Sequence, residues 1–217
     1  MTLMHDVVIL GAAGHAKVCI EVLRAAGLFR PCACLVPDGT STTILGVPVL
    51  RAPDTEGLAK LRSEGVSLAF VALGANRVRD KVGIVVERAG FTLITAVDPG
   101  ARLSPSASIG VGVLVMPGAI VNADAVLGDL CIVNSAAVIE HDCRLGRASH
   151  VAPGAVLAGN VTLGDRAFIG VGAVVRPDIR IGADAVAGAG AAVVSDVAEC
   201  ATVVGVPARP LKGANAP

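Results

Sequence analysis

Every sixth residue from Leu103 to Val193 is aliphatic, and fifteen of those sixteen positions hold Val, Ile or Leu. With 66 such residues in 217, only about five would fall there by chance. Four residues after each lies a second series, from Ala107 through Ala137 and Ser149 to Val197, in which nothing is charged and all but Ile179 are small or Val. Glycine recurs directly after the large residue, at Gly110, Gly128, Gly146, Gly164, Gly170, Gly182 and Gly188. A hexad with one large and one small inward residue predicts a parallel β-helix. The large side chain fills each flat face, and only a small one fits where the backbone turns.

Composition agrees with that interior. The chain is 53% hydrophobic but only 2% aromatic, so small aliphatic residues must build its core. Uncharged stretches such as Val111 to Ala123 are too short and too rich in Gly, Pro and Asn to cross a membrane. Eighteen basic and eighteen acidic residues give zero formal charge, which argues against nucleic acid or an anionic membrane as main partner. Asp6 ahead of a short apolar run does not resemble a signal peptide, so a cytoplasmic protein is expected. The six cysteines include no C-x-x-C pair, and reduced, mostly buried thiols are expected.

The first half reads differently. An apolar run from His5 ends in Gly11-Ala12-Ala13-Gly14-His15-Ala16-Lys17, followed by a helical pattern over 14–27. Apolar runs at Leu68–Leu73 and Phe91–Val97 alternate with helical stretches near Glu56–Glu64 and Arg77–Arg88. That alternation predicts a small parallel, Rossmann-like α/β sheet. A glycine turn opening a helix presents backbone N–H groups and the positive helix end to an anion, so this half is expected to hold a diphosphate. The spacing is G-x-x-G, a weak signal for a dinucleotide, and a purely structural turn is the alternative. Asn76 and Arg77 follow a strand end, where an open α/β sheet presents ligand contacts. Asp98-Pro99-Gly100 is the expected joint, giving an α/β domain over 1–100 and a β-helix with a C-terminal tail over 101–217.

The Gly-Ala-Ala-Gly-His-Ala-Lys turn, the hexads, Ile139-Glu140-His141-Asp142, Ser149-His150-Val151 and the closing Gly205-Val206-Pro207-Ala208-Arg209 occur together. This combination resembles the sialic acid and nucleotide-aminosugar acetyltransferase family, and within it the branch acting on GDP-perosamine, over nearly the whole chain. The resemblance implies a left-handed β-helix, a homotrimer with sites shared between subunits, a nucleotide sugar held partly by the first domain, and acetyl-CoA along the groove between β-helices. It implies acetyl transfer to the amino group of a nucleotide-linked 4-amino-deoxysugar, with no metal. Gly159, Gly170 and Arg209 are then the expected acetyl-CoA contacts.

Moving an acetyl group from a thioester to an amine needs a base for the nitrogen's proton and a donor for the developing oxyanion. A neutral imidazole suits the first task. The register puts His141 third in its hexad, on a turn and facing out. A surface histidine on a turn is ordinarily inert, but the family's base falls on this motif, with Asp142 orienting the ring and Glu140 as the alternative. His150, nine residues on, is half a coil away; it faces elsewhere within one chain but can approach a neighbour's His141, and the resemblance implies a substrate contact. Half a coil is roughly 15 Å of backbone at about 3.3 Å per strand residue, too far for one zinc ion.

His15 is expected at the phosphate or sugar. Lys17 is either a phosphate partner or a solvated helix residue, and His5 a bystander. Asp38 is expected to read the base. Uridine-binding members carry adjacent acids there, whereas Val36-Pro37-Asp38 stands here and favours guanine. The oxyanion donor is expected to be a backbone N–H near Gly159. The rivals are a sugar O-acetyltransferase using the same base, a γ-class carbonic anhydrase, which needs one more histidine, and a non-enzymatic β-helix.

Overall fold

The computed structural model describes residues 4–38, 43–51 and 56–211. The chain divides into two compact units, Met1–Asp98 and Pro99–Pro217.

In the first unit the strands β1 (His5–Leu10), β2 (Phe29–Val36), β3 (Thr43–Ile44), β4 (Val47–Arg51), β5 (Leu68–Val71) and β6 (Thr92–Leu93) alternate with helices α1 (Gly14–Ala26), α2 (Glu56–Ser63) and α3 (Asn76–Arg88). The sheet order is β3-β4-β2-β1-β5-β6, parallel throughout except where β3 pairs antiparallel with β4. That edge hairpin turns through Leu45 and Gly46, both with positive φ, and departs from the all-parallel expectation. Central β1 buries Val7, Val8 and Ile9 completely, because helices cover both faces of a parallel sheet. Chain order turns back at β1, with β2 on one side and β5 on the other.

The second unit is a left-handed parallel β-helix. Its two-residue strands stack at eighteen-residue intervals, so Leu114 pairs with Ile132, Ile132 with His150 and His150 with Phe168. The register shortens at the end, where Val186 pairs with Thr202. Both inward series are buried: Ile139, Val151, Leu157 and Ile169 are fully enclosed, as are Ala137, Cys143, Ser149 and Ala155. Each large aliphatic side chain so buried is worth about 1.5–3 kcal/mol.

Glycine after the large residue serves packing between coils. A Cβ on Gly146 would stand 2.6 Å from Asp165 N and Gly164 C, and one on Gly170 2.6 Å from Ala189 N. The left-handed backbone falls two residues later, at every sixth position from Gly112 to Gly190. One corner carries Asp124, Asp142, Asn160 and Asp178 in succession, side chains that tolerate this conformation better than most.

Candidate active site

The Asp142 corner follows the strand Val138–Ile139. Because Ile139 fills the core and Cys143 the next inward slot, Glu140, His141 and Asp142 are forced outside. The His141 side chain is 61% exposed, and its Nδ1 lies 2.8 Å from Asp142 Oδ2. A carboxylate only accepts, so Nδ1 carries the proton and Nε2 keeps a lone pair. That hydrogen bond first, then the charges of Asp142, Glu140 and Asp178, raise the His141 pKa above its ordinary value. Glu140 Oε2 is 3.4 Å from the His141 amide and does not touch the ring nitrogen that Asp142 occupies.

Gly159 lies one coil on. A Cβ there would stand 2.5 Å from both Cε1 and Nε2 of His141, so the ring rests where a side chain would be. The Gly159 carbonyl accepts from Asp178 N, while its own N–H meets no backbone acceptor among the described residues. Asn160 donates its amide to His141 O at 2.9 Å and its Nδ2 to Asp178 Oδ1 at 2.9 Å.

His150 stands on a strand and is buried, 3.0 Å from Asn134 Nδ2 and edge-on to the Phe168 ring at 5.2 Å. Gly170 is buried between coils. Arg209 is exposed beside a cleft lined by Ser195, Asp196, Ala201 and Pro210.

In the first unit Gly11, Gly14 and His15 follow the end of β1, Asn76 and Arg77 follow the end of β5, and Asp38 follows the end of β2. Gly11 takes φ +120°, and a Cβ there would stand 2.9 Å from Ala72 O, which makes this glycine structural. Gly14, the exposed first residue of α1, has nothing within 4 Å of its Cβ position, and neither has Gly74. Neither α1 nor α3 carries a side-chain cap at its N-terminus, where an alanine, Ala13 or Ala75, holds the cap position. His15 is half-buried with a buried Nε2 that makes no hydrogen bond. Burial, and secondarily the Arg79 charge, lower its pKa. Lys17 and Arg77 are exposed, and Asn76 is half-buried. Asp38 is 91% exposed, with Arg51 Nη2 at 3.9 Å. Sequence reasoning missed Arg79, which is 1% exposed. Its helical surroundings look like a solvated face, and nothing local distinguishes it from Arg77.

Residues 6–84 match the family model for the PglD N-terminal domain. A point mutant of perosamine N-acetyltransferase from Caulobacter crescentus, in complex with CoA and GDP-perosamine, is 47% identical at a TM-score of 0.92, covering 97% of this chain and 99% of that one. This chain belongs to the nucleotide-aminosugar acetyltransferase family. The acetyltransferase domain of PglB from Neisseria gonorrhoeae, solved with acetyl coenzyme A, is 39% identical at a TM-score of 0.90, covering 96% of this acetyltransferase and 100% of that domain. The UDP-N-acetylbacillosamine N-acetyltransferase of Bacillus subtilis is 38% identical over 117 residues, and the acetyltransferase spans 52% of that curated relative's length. Among the described residues no group of three or more His, Cys, Asp or Glu is arranged to hold a metal ion, and no helix is long and apolar enough to cross a membrane.

Proposed function

We propose that this protein transfers acetyl from acetyl-CoA to the amino group of a GDP-linked 4-amino-deoxysugar, GDP-perosamine in the first instance, by direct attack with His141 as general base. One observation carries the reading: an exposed imidazole with Nδ1 tied to a carboxylate and Nε2 free, seated on a glycine. Asp142 fixes the tautomer. Nε2 takes the proton as the sugar nitrogen bonds to the thioester carbonyl, the C–S bond breaks, and the imidazolium returns the proton to the CoA sulfur. In this reading the Gly159 N–H, which meets no backbone acceptor among the described residues, serves the oxyanion. Direct attack needs no covalent acyl-enzyme, and Cys131 and Cys143 are buried in the core.

The first unit binds the nucleotide sugar in this reading. Uncapped helix ends and open space at Gly14 and Gly74 fit a diphosphate, with His15, Lys17, Asn76 and Arg77 as its contacts. Asp38 accepts from the base; an exposed carboxylate matches the N1–H and exocyclic amine of guanine. The Caulobacter relative holds CoA and GDP-perosamine, which supports the choice of both ligands. Gly159, Gly170 and Arg209 belong to the acetyl-CoA groove. The protein works as a cytoplasmic homotrimer with each site shared, His150 reaching a neighbour's substrate.

The test is turnover with acetyl-CoA and a panel of nucleotide sugars, following CoA thiol release and product mass. Acetylation of GDP-perosamine, with His141→Asn or His141→Ala lowering kcat by roughly a hundredfold or more, is expected. Transfer only to hydroxyl sugars, or near-normal turnover without His141, would overturn it.

A further inference from the structure

A fully buried arginine is rare, because removing a guanidinium from water is costly unless every donor is used. Arg79 sits inside α3 at 1% exposure. Its Nη1 donates to Leu73 O at 3.0 Å and Gly74 O at 2.9 Å, and its Nη2 to Asn76 Oδ1 at 2.9 Å. Leu73 and Gly74 belong to the short segment joining β5 to α3, and Asn76 is the first residue of α3. A residue needed only to fill this space would be apolar, since Leu or Met carries no desolvation cost.

That segment is half of a crevice. Ala72 N donates to Leu10 O, and Gly11 is close enough to Ala72 and Leu73 that no side chain fits between them. The two strand ends therefore form one wall at the point where chain order reverses, the place where open α/β sheets take ligands. The Arg79 charge also reaches His15 on the opposite helix.

We propose that Arg79 is a positioning residue for nucleotide-sugar binding: its fork holds the Leu73–Asn76 segment in the shape that meets the Gly11–Gly14 turn and commits the Asn76 oxygen, so that Asn76 engages ligand as a donor. The proposal rests on the reading of the first unit as the nucleotide-sugar site. Lysine, a point charge on a flexible stem, cannot reproduce a fork shared by three acceptors.

The experiment is steady-state kinetics of Arg79→Lys and Arg79→Gln with GDP-perosamine and acetyl-CoA, beside thermal melting. The expected result is a KM for the nucleotide sugar raised about tenfold or more, less in Arg79→Lys than in Arg79→Gln, with kcat and the KM for acetyl-CoA within about threefold. Combining Arg79→Lys with Asn76→Ala should raise that KM by clearly less than the product of the single effects, because one residue acts through the other. An unchanged nucleotide-sugar KM overturns the proposal. So does a lowered kcat with both KM values unchanged and a lower Tm, the mark of a purely structural arginine. If Arg79→Gln does not fold, Arg79→Lys and the double variant decide. A wild-type protein that binds and acetylates no nucleotide sugar defeats the functional reading first, and this proposal with it.

Discussion

His141 Nδ1 and Asp142 Oδ2 stand 2.8 Å apart on adjacent residues of one corner. The two side chains meet because Asp142 takes φ +62°, which brings consecutive outward side chains together at the turn. The contact does two things: it assigns the proton to Nδ1, and it raises the His141 pKa.

The base works only when neutral, so kcat/KM should fall as pH drops through a His141 pKa above the ordinary value of 6.5. Asp142→Asn removes the hydrogen-bonded charge and should move this acid limb to lower pH, while costing about tenfold or more in kcat through loss of the tautomer. Glu140→Gln removes a smaller contribution and should move the limb less. The pH profiles of the three proteins check this, and an unmoved limb in Asp142→Asn would exclude Asp142 as the orienting acid.

Two glycine substitutions should separate activity from stability. Gly159→Ala puts a Cβ against the His141 ring, which can swing aside; kcat should fall about tenfold or more with Tm nearly kept. Gly146→Ala drives a Cβ into the backbone of the next coil, which cannot move; Tm should fall by several degrees, on the order of 1–3 kcal/mol. Melting curves beside turnover numbers read both.

Histidine ring resonances followed against pH should bracket the ordinary value from both sides, His141 titrating above 6.5 and His15 below it. The signs in stability are opposite. His15 protonates more readily in the unfolded chain, so its share is present above about 6.5 and is lost as pH falls from there through its lowered folded pKa. The His141 share is present below about 6.5 and is lost as pH rises through its raised pKa. Arg79→Gln should move the His15 titration upward by removing the nearby cation.

Thiol labelling should pick out Cys200, which is exposed at a turn. Burial pushes Cys19 up to about 12 and Cys34 and Cys143 up to about 11, so these stay protonated and unreactive. The native protein should take up one label quickly, and Cys19, Cys34, Cys131 and Cys143 should react only after unfolding. Loss of acetyl transfer on labelling Cys143 in the native protein would contradict its place in the core.

The hexad made the second half legible from spacing alone: once one large and one small residue must point inward every six, the outward place of Glu140, His141 and Asp142 follows by counting. The handedness of the coil was not in the spacing, because a period of six is the same for either hand; the resemblance supplied it. The glycine turn and the helix after it were likewise readable, since both are local. Gly11 and Gly14 look alike in sequence, yet only the fold separates them, one locked against Ala72 and the other open.

What the sequence by itself determined is the period, the strand-turn-helix opening and the identity of the histidine pushed to a corner, because each depends on near neighbours along the chain. What only the tertiary structure decided is the burial of Arg79 over the β5 end, the enclosure of His150 by Asn134 and Phe168, and the seat of His141 on Gly159. Arg79 is buried by packing although its hydrogen-bond partners are near in sequence, and the other contacts join coils stacked eighteen residues apart, where the outward side chains follow no repeat that a period could reveal.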